Sequence, residues 1–175
     1  WSRGLGDVYK RQRILEIKGK NKICEVWPHL ELYIHGGVSF VPYREQFEQI
    51  IGKPVNYLEI YNASEGFFAG QTDSAHEGMT LFTEHGIFYE FMPVEEYGKK
   101  YPLTYGLDKV KMDTNYAMII STAGGLWRYL VGDTVRFTSL HPYRIKITGR
   151  IKHYINAFGE ELMVDNADKA IAKAM

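Results

Sequence analysis

The chain has 175 residues, 45% hydrophobic and 14% aromatic, with a formal net charge of zero and a single cysteine. This is about one domain's worth of chain, long enough to bury a core and too apolar for a disordered segment. Zero net charge removes the electrostatic case for nucleic acid or an anionic membrane as main partner. Cys24 alone excludes an internal disulfide framework, and neither a secretory signal nor a spanning apolar run is present, so a soluble cytoplasmic protein is expected.

Thirteen tyrosines and nine phenylalanines favour a β-rich fold, because large rings fill sheet surfaces and line cavities. The opening WSRGLGDVYKRQ, residues 1–12, has no initial Met and no clear apolar period. It resembles an adapter-derived translation and is set aside as non-native. LELYIHGG (30–37) predicts a buried strand ending in a Gly-Gly turn. YREQFEQIIG (43–52) predicts a helix with Phe47, Ile50 and Ile51 on one face and Gly52 as its C-cap. NYLEIYNAS (56–64) predicts the next strand, and the intervening helix implies a parallel neighbour, so residues 30–65 have an α/β grammar.

After that the pattern changes. MTLFTEHGIFYEFMP predicts two strands around the turn residues TEHG. NYAMIISTAGGLWRYLVGDTVRFTSL and YRIKITGRIKHYINAFG continue as short strands with glycine turns, and residues 94–108 form a loop or short helix. VDNADKAIAKAM begins an amphipathic helix capped by Asp165 or Asn166. The expected fold is therefore α/β (α+β): part of a mixed sheet with helices, followed by a twisted antiparallel sheet or partial barrel.

Four stretches carry chemistry. Ser64 and Glu65 interrupt an apolar run at a strand's carboxyl end, where ligands collect in open α/β sheets. A hydroxyl beside a carboxylate suits a phosphate with Mg²⁺, although a plain capping pair at a turn explains them too. In WRYLVGDTVRF (127–137), Gly132 predicts a turn with Asp133 at its tip. There a carboxylate can accept both hydroxyls of a ribose, or simply complete a Gly-Asp hairpin. In KITGRIKHYINAFGEEL (146–162), GR predicts a turn, and Arg150, Lys152 and His153 can meet nucleotide phosphates or guard an exposed edge strand. Gly36 and Gly37 allow close backbone approach to a flat ring or phosphate, or make a tight turn.

The six histidines lack metal-ligand spacing, which argues against zinc, and no phosphate-loop or dinucleotide glycine motif occurs. Cys24 is most simply a packed thiol, and Trp127 and the Phe-Tyr runs of 87–91 are most simply core.

The order HGG, YNASE, WRYLVGD, TGRIKHYINAFGEEL, together with HGGVSFVPY, FYEFMP and TAGGLWRYLVGD, resembles the adenylate-forming enzymes. In detail it resembles the Gretchen Hagen family of auxin-responsive acyl-acid amido synthetases and their bacterial relatives, over roughly residues 24–175. The resemblance implies ATP and Mg²⁺ as cofactors, and a small-molecule carboxylic acid and an amine or amino acid as partners. Residues 13–150 would be part of a large adenylate-forming domain, and 151–175 the hinge and start of a truncated C-terminal domain.

By the same resemblance Gly36, Gly37 and Tyr61 frame the adenine, and Tyr61, Asn62, Ala63, Ser64 and Glu65 stand where such enzymes show YGxTE. Ser64 would contact the α-phosphate and Glu65 the Mg²⁺, while Asn62 replaces a glycine, so the backbone there must tolerate a side chain. Asp133 binds the ribose hydroxyls, Arg150 sits near ribose or phosphates, and Lys152 is the hinge. Phe40, Phe67 and Phe68 line the acyl pocket. The loop holding the β- and γ-phosphates would lie upstream and the catalytic lysine downstream, so this stretch alone is expected not to complete adenylation. A coenzyme A ligase of the phenylacetate type and a non-catalytic nucleotide-binding relative are the alternatives.

Overall fold

The computed structural model describes residues 3–37, 40–73, 75–151, 155–157 and 160–162. They fall into two compact units divided between Leu58 and Glu59. The first contains helices α1 (Arg3–Lys18) and α2 (Ile23–Val26), strand β1 (Leu32–Gly36), a 3-10 turn at Val41–Tyr43, helix α3 (Arg44–Ile51) and the start of strand β2 (Asn56–Ala63). Helix α1 takes in most of the opening segment left out of the fold expectation.

Helix α3 forms as its spacing predicts. Ile51 is buried and Phe47 and Ile50 are half-buried beside it. Gly52 ends the helix at φ 87°, with its N–H donating to the Glu48 carbonyl at 2.8 Å. A Cβ there would stand 2.8 Å from Cβ of Lys22, so close packing against the α2 approach also demands glycine. Strand β1 is not the buried strand expected: it alternates exposed and half-buried residues. Its inner face meets a cluster of rings, Tyr33 and His35 against Phe40, Phe47 and Tyr57, which shields one side only.

The second unit is a sheet: the rest of β2, then β3 (Gly66–Gly70), β4 (Met79–Leu81), β5 (Ile87–Pro93), β6 (Asn115–Thr122), β7 (Tyr129–Leu140), β8 (Tyr143–Arg150) and a separate hairpin of β9 (Ile155–Ala157) with β10 (Glu160–Leu162). The strand order is β1-β2-β3-β4-β8-β7-β6-β5, and every pair from β2 to β5 is antiparallel. The strands on either side of TEHG both form, but they do not pair with each other. β4 lies between β3 and β8, whereas β5 is the far edge beside β6. Residues 94–108 make two 3-10 turns, and Tyr105 bridges back to Phe91, covering part of that edge.

One face of this sheet carries the core: Phe68, Phe91, Tyr116, Met118, Ile120, Val135, Phe137 and Ile145 are fully buried or nearly so. Each such side chain contributes about 1.5–3 kcal/mol by leaving water. The sheet also curls. β2 and β7 are separated by three strands, yet two side-chain hydrogen bonds join their neighbourhoods. A Cβ on Gly66 of β3 would sit 3.1 Å from Cδ1 of Ile87 on β5. The unit is therefore the twisted, partly closed antiparallel sheet expected. Trp127 and Phe88 are not core: Trp127 is 85% exposed, in the loop before β7, and Phe88 lies on the face of β5 turned away from the main core. No helix among the described residues is long and apolar enough to cross a membrane.

Candidate active site

The polar interruption after β2 is a turn. β2 runs directly into β3, pairing Ala63 with Gly66, so Ser64 and Glu65 are the two-residue tip of an antiparallel hairpin at the carboxyl end of β2. Neither has a positive φ, nor does Asn62, so the backbone accepts side chains at all three positions. The register slips between Tyr61 and Asn62, leaving Phe68 as the extra residue of a bulge. Phe68 is wholly buried, which makes it a core ring with no surface to offer a ligand. Phe67 is exposed and leans on Phe82 at 5.2 Å.

Asp133 owes its place to a second bulge. The register slips so that Val131, Gly132 and Asp133 together oppose Met118 alone. Gly132 takes φ 93° there, a conformation that favours glycine. Gly132 and Asp133 thus lie inside a twelve-residue strand, not at the hairpin turn expected. Likewise Gly149 and Arg150 end β8 and do not make a turn, because Asp133 and Thr134 continue the ladder opposite them.

The bulge turns the Asp133 carboxylate toward two donors. Tyr61 Oη donates to Oδ2 at 2.9 Å, and Arg150 Nε donates to Oδ1 at 3.0 Å. The Asp133 side chain is 14% exposed and that of Arg150 70%. The Tyr61 ring is 3% exposed and packs edge-on to Phe68 with centroids 4.9 Å apart. Burial, and then the neighbouring Asp133 charge, push the Tyr61 phenol far above its usual range, so it stays a donor at ordinary pH.

Glu65 is held differently. Tyr129 Oη donates to its Oε1 at 3.1 Å, at an exposed contact that raises the Tyr129 phenol through the bond itself. Oε2 takes no hydrogen bond among the described residues. A carboxylate oxygen on an accessible hairpin tip fits a hard cation. The described residues contain no group of three or more His, Cys, Asp or Glu that could hold a metal by themselves, so phosphates and water would supply the other ligands, as Mg²⁺ accepts.

Tyr61, Asp133 and Arg150 are thus brought together, while Glu65 meets Tyr129 and Ser64 is exposed beside it. Gly36, Gly37 and Phe40 belong to the first unit, where Gly37 has φ 98° and Phe40 stacks on His35 at 4.3 Å. The expected hinge Lys152, His153 and the C-terminal helix lie outside the described residues.

Sequence reasoning missed three contributors. Tyr129 gave a signal, standing four residues before Asp133 in WRYLVGD. Arg128, at φ 46°, is locked by a two-pronged contact with Glu90 (2.9 and 3.0 Å), by Thr104, and by its own N–H on Ser121 Oγ, which fixes how the chain enters β7. Asp73 pins the loop before β4 by accepting from the Ala75 and His76 N–H groups, pairing with the His76 ring and binding Arg144, and its carboxyl is held well below the usual range by His76 first.

Residues 8–56 match the GH3 family N-terminal domain and residues 80–150 the GH3 family central domain, the latter containing Asp133 and Arg150. The chain is 29% identical over 130 residues to the indole-3-acetic acid-amido synthetase GH3.8 of Oryza sativa subsp. indica, covering 68% of this chain and 21% of that protein. It is 28% identical over 125 residues to the jasmonoyl-L-amino acid synthetase JAR4 of Nicotiana attenuata, covering 68% and 22%. The chain thus spans about a fifth of the length of these relatives. In fold it is similar to AtGH3.15 acyl acid amido synthetase in complex with 2,4-DB, with TM-score 0.68 and 20% identity over 92% of this chain and 29% of that one. It is also similar to MatB from Rhodopseudomonas palustris, with TM-score 0.51 and 14% identity over 81% and 29%. Two successive GH3 family domains, N-terminal and central, are thus matched in chain order, and the similar curated proteins carry GH3 and amino acid synthetase names.

Proposed function

We propose that this chain is part of an ATP-dependent ligase that adenylates a carboxylic acid and transfers the acyl group to an amine or amino acid. The observation that carries the reading is Asp133, a carboxylate held between two donors on an inner strand of a curled sheet. The relatives support it, being named as an indole-3-acetic acid-amido synthetase and a jasmonoyl-L-amino acid synthetase.

In the first half-reaction a carboxylate oxygen of the acid attacks the α-phosphorus of ATP and pyrophosphate leaves. In the second, the amine nitrogen attacks the acyl carbon, loses its proton, and AMP leaves. Asp133 accepts the ribose hydroxyls, Arg150 supplies positive charge beside ribose or phosphate, and Ser64 donates to the α-phosphate. Glu65 holds Mg²⁺, which when bound offsets charge on the phosphates. Catalysis is then mostly orientation and electrostatics, with no protein nucleophile required. Phe67 offers an exposed ring for the acyl group, Gly36 and Gly37 remain proposed nucleotide contacts within their own unit, and Lys152 is proposed as the hinge. The expected division at about residue 150 and a cytoplasmic location belong to the same proposal.

The test is ATP–pyrophosphate exchange by the full-length protein across aryl and alkyl carboxylic acids, with Asp133→Ala as control. Acid-dependent exchange that disappears in the variant is expected. No exchange from folded protein with any acid would leave a nucleotide-binding relative as the better reading. Product analysis with amino acids against coenzyme A separates amide from thioester formation.

A further inference from the structure

We infer that Tyr61 acts through its hydroxyl as the positioning residue of Asp133, presetting the carboxylate for a vicinal diol and so setting the preference for ribose over deoxyribose nucleotides. This rests on the reading of Asp133 as the ribose acceptor.

A free carboxylate on a strand rotates about its last bond, and a diol meets both oxygens only in part of that range. Here each oxygen is held from a different side, Oδ2 by Tyr61 at 2.9 Å and Oδ1 by Arg150 at 3.0 Å. Rotation in either direction breaks both bonds. Each oxygen has a second lone pair, so the two protein donors leave one acceptor site on each oxygen for the diol. The arrangement is complete before any nucleotide arrives, which reduces the ordering cost of binding.

The two struts are unequal. Arg150 ends β8 on a long side chain that is 70% exposed, and water can replace it. Tyr61 is fixed by its backbone pairing with Ala69, by the edge-on Phe68 ring and by near-complete burial. Its hydroxyl position is therefore set by the core. The bond spans 72 residues of sequence and joins β2 to β7 across three intervening strands, so the same contact that shapes the fold aims the carboxylate. A site built to bond a hydroxyl leaves its acceptor unpaired against an analogue lacking it, which is how such sites reject close mimics.

The experiment is calorimetric titration of AMP, 2′-deoxy-AMP and 3′-deoxy-AMP into the full-length protein, as wild type, Tyr61→Phe and Asp133→Ala, with thermal melts to establish folding. The expected result is AMP binding weakened roughly tenfold in Tyr61→Phe, the size of one hydrogen bond to a charged group, with deoxynucleotide binding nearly unchanged, so that the preference shrinks by the same factor. A purely structural role would weaken all three nucleotides alike. An unaltered preference in Tyr61→Phe, with Asp133→Ala still weakening AMP, overturns the role of Tyr61 and leaves the ribose reading standing. No AMP binding by wild type, or none lost in Asp133→Ala, overturns the ribose reading itself. Should Tyr61→Phe not fold, Phe68→Leu loosens the ring while keeping the hydroxyl and is expected to shrink the preference in the same direction; an unchanged preference there also overturns the proposal.

Discussion

Asp133 and Glu65 each accept a hydrogen bond from a tyrosine hydroxyl, and in both cases the partner lies across the curled sheet, yet the two regions are built on opposite terms. At Asp133 the phenol is buried in the core, a glycine bulge turns the acid toward it, and an arginine closes the other side. At Glu65 the acid stands on a hairpin tip, the tyrosine is partly exposed, and one oxygen is left for another ligand. A fixed acceptor suits a rigid diol, whose two hydroxyls keep one spacing. A movable carboxylate suits a cation that brings waters and phosphates with it and completes its own shell. The comparison predicts that disturbing the first region costs stability and selectivity together, and that disturbing the second costs neither until the cation is needed.

The widest disturbance abolishes the comparison. Phe137 is fully buried and touches Phe91, Tyr116 and Tyr143, so Phe137→Ala should cost about 3–5 kcal/mol in chemical denaturation and loosen both sites. Next, Asp133→Ala should weaken AMP binding by about 3 kcal/mol, on the order of a hundredfold, by titration. Glu65→Gln should leave AMP binding intact when measured without divalent cation, because its expected role lies with the metal; an equal loss there would erase the distinction between the regions.

Alkali should also separate them. Tyr61 and Tyr89 both have phenols raised by burial, Tyr89 to about 12, so folding favours their neutral forms. That stabilisation is whole below the unfolded value near pH 10 and is lost as pH rises towards the folded values. Stability should therefore fall by about 1.4 kcal/mol per pH unit for each group above about pH 10. In Tyr61→Phe the fall should be shallower by one group's share, as followed by denaturant midpoints from pH 9 to 11. Tyr129→Phe, the smallest change, should leave the melting temperature where it was, since its contact is exposed. A clear drop would show that the hairpin tip is as fixed as Asp133.

Much of this was legible because it is local. The helix over Arg44–Ile51 follows from apolar spacing and its glycine cap, most strands from alternation between turn residues, and the candidate acids from a carboxylate interrupting apolar runs. Pairing was not legible. Whether TEHG closes a hairpin, whether Gly132 makes a turn or a bulge, and whether Phe68 faces a ligand or the core depend on which strands become neighbours. Tyr61 shows the division most sharply. Its sequence context marks it only as a strand tyrosine beside a polar turn, and a ring that could meet a ligand. That its hydroxyl secures an acid 72 residues away is decided by the curl of the sheet. Periodicity and capping are set by neighbours a few residues apart, whereas a contact at that separation exists only after several strands have found their order.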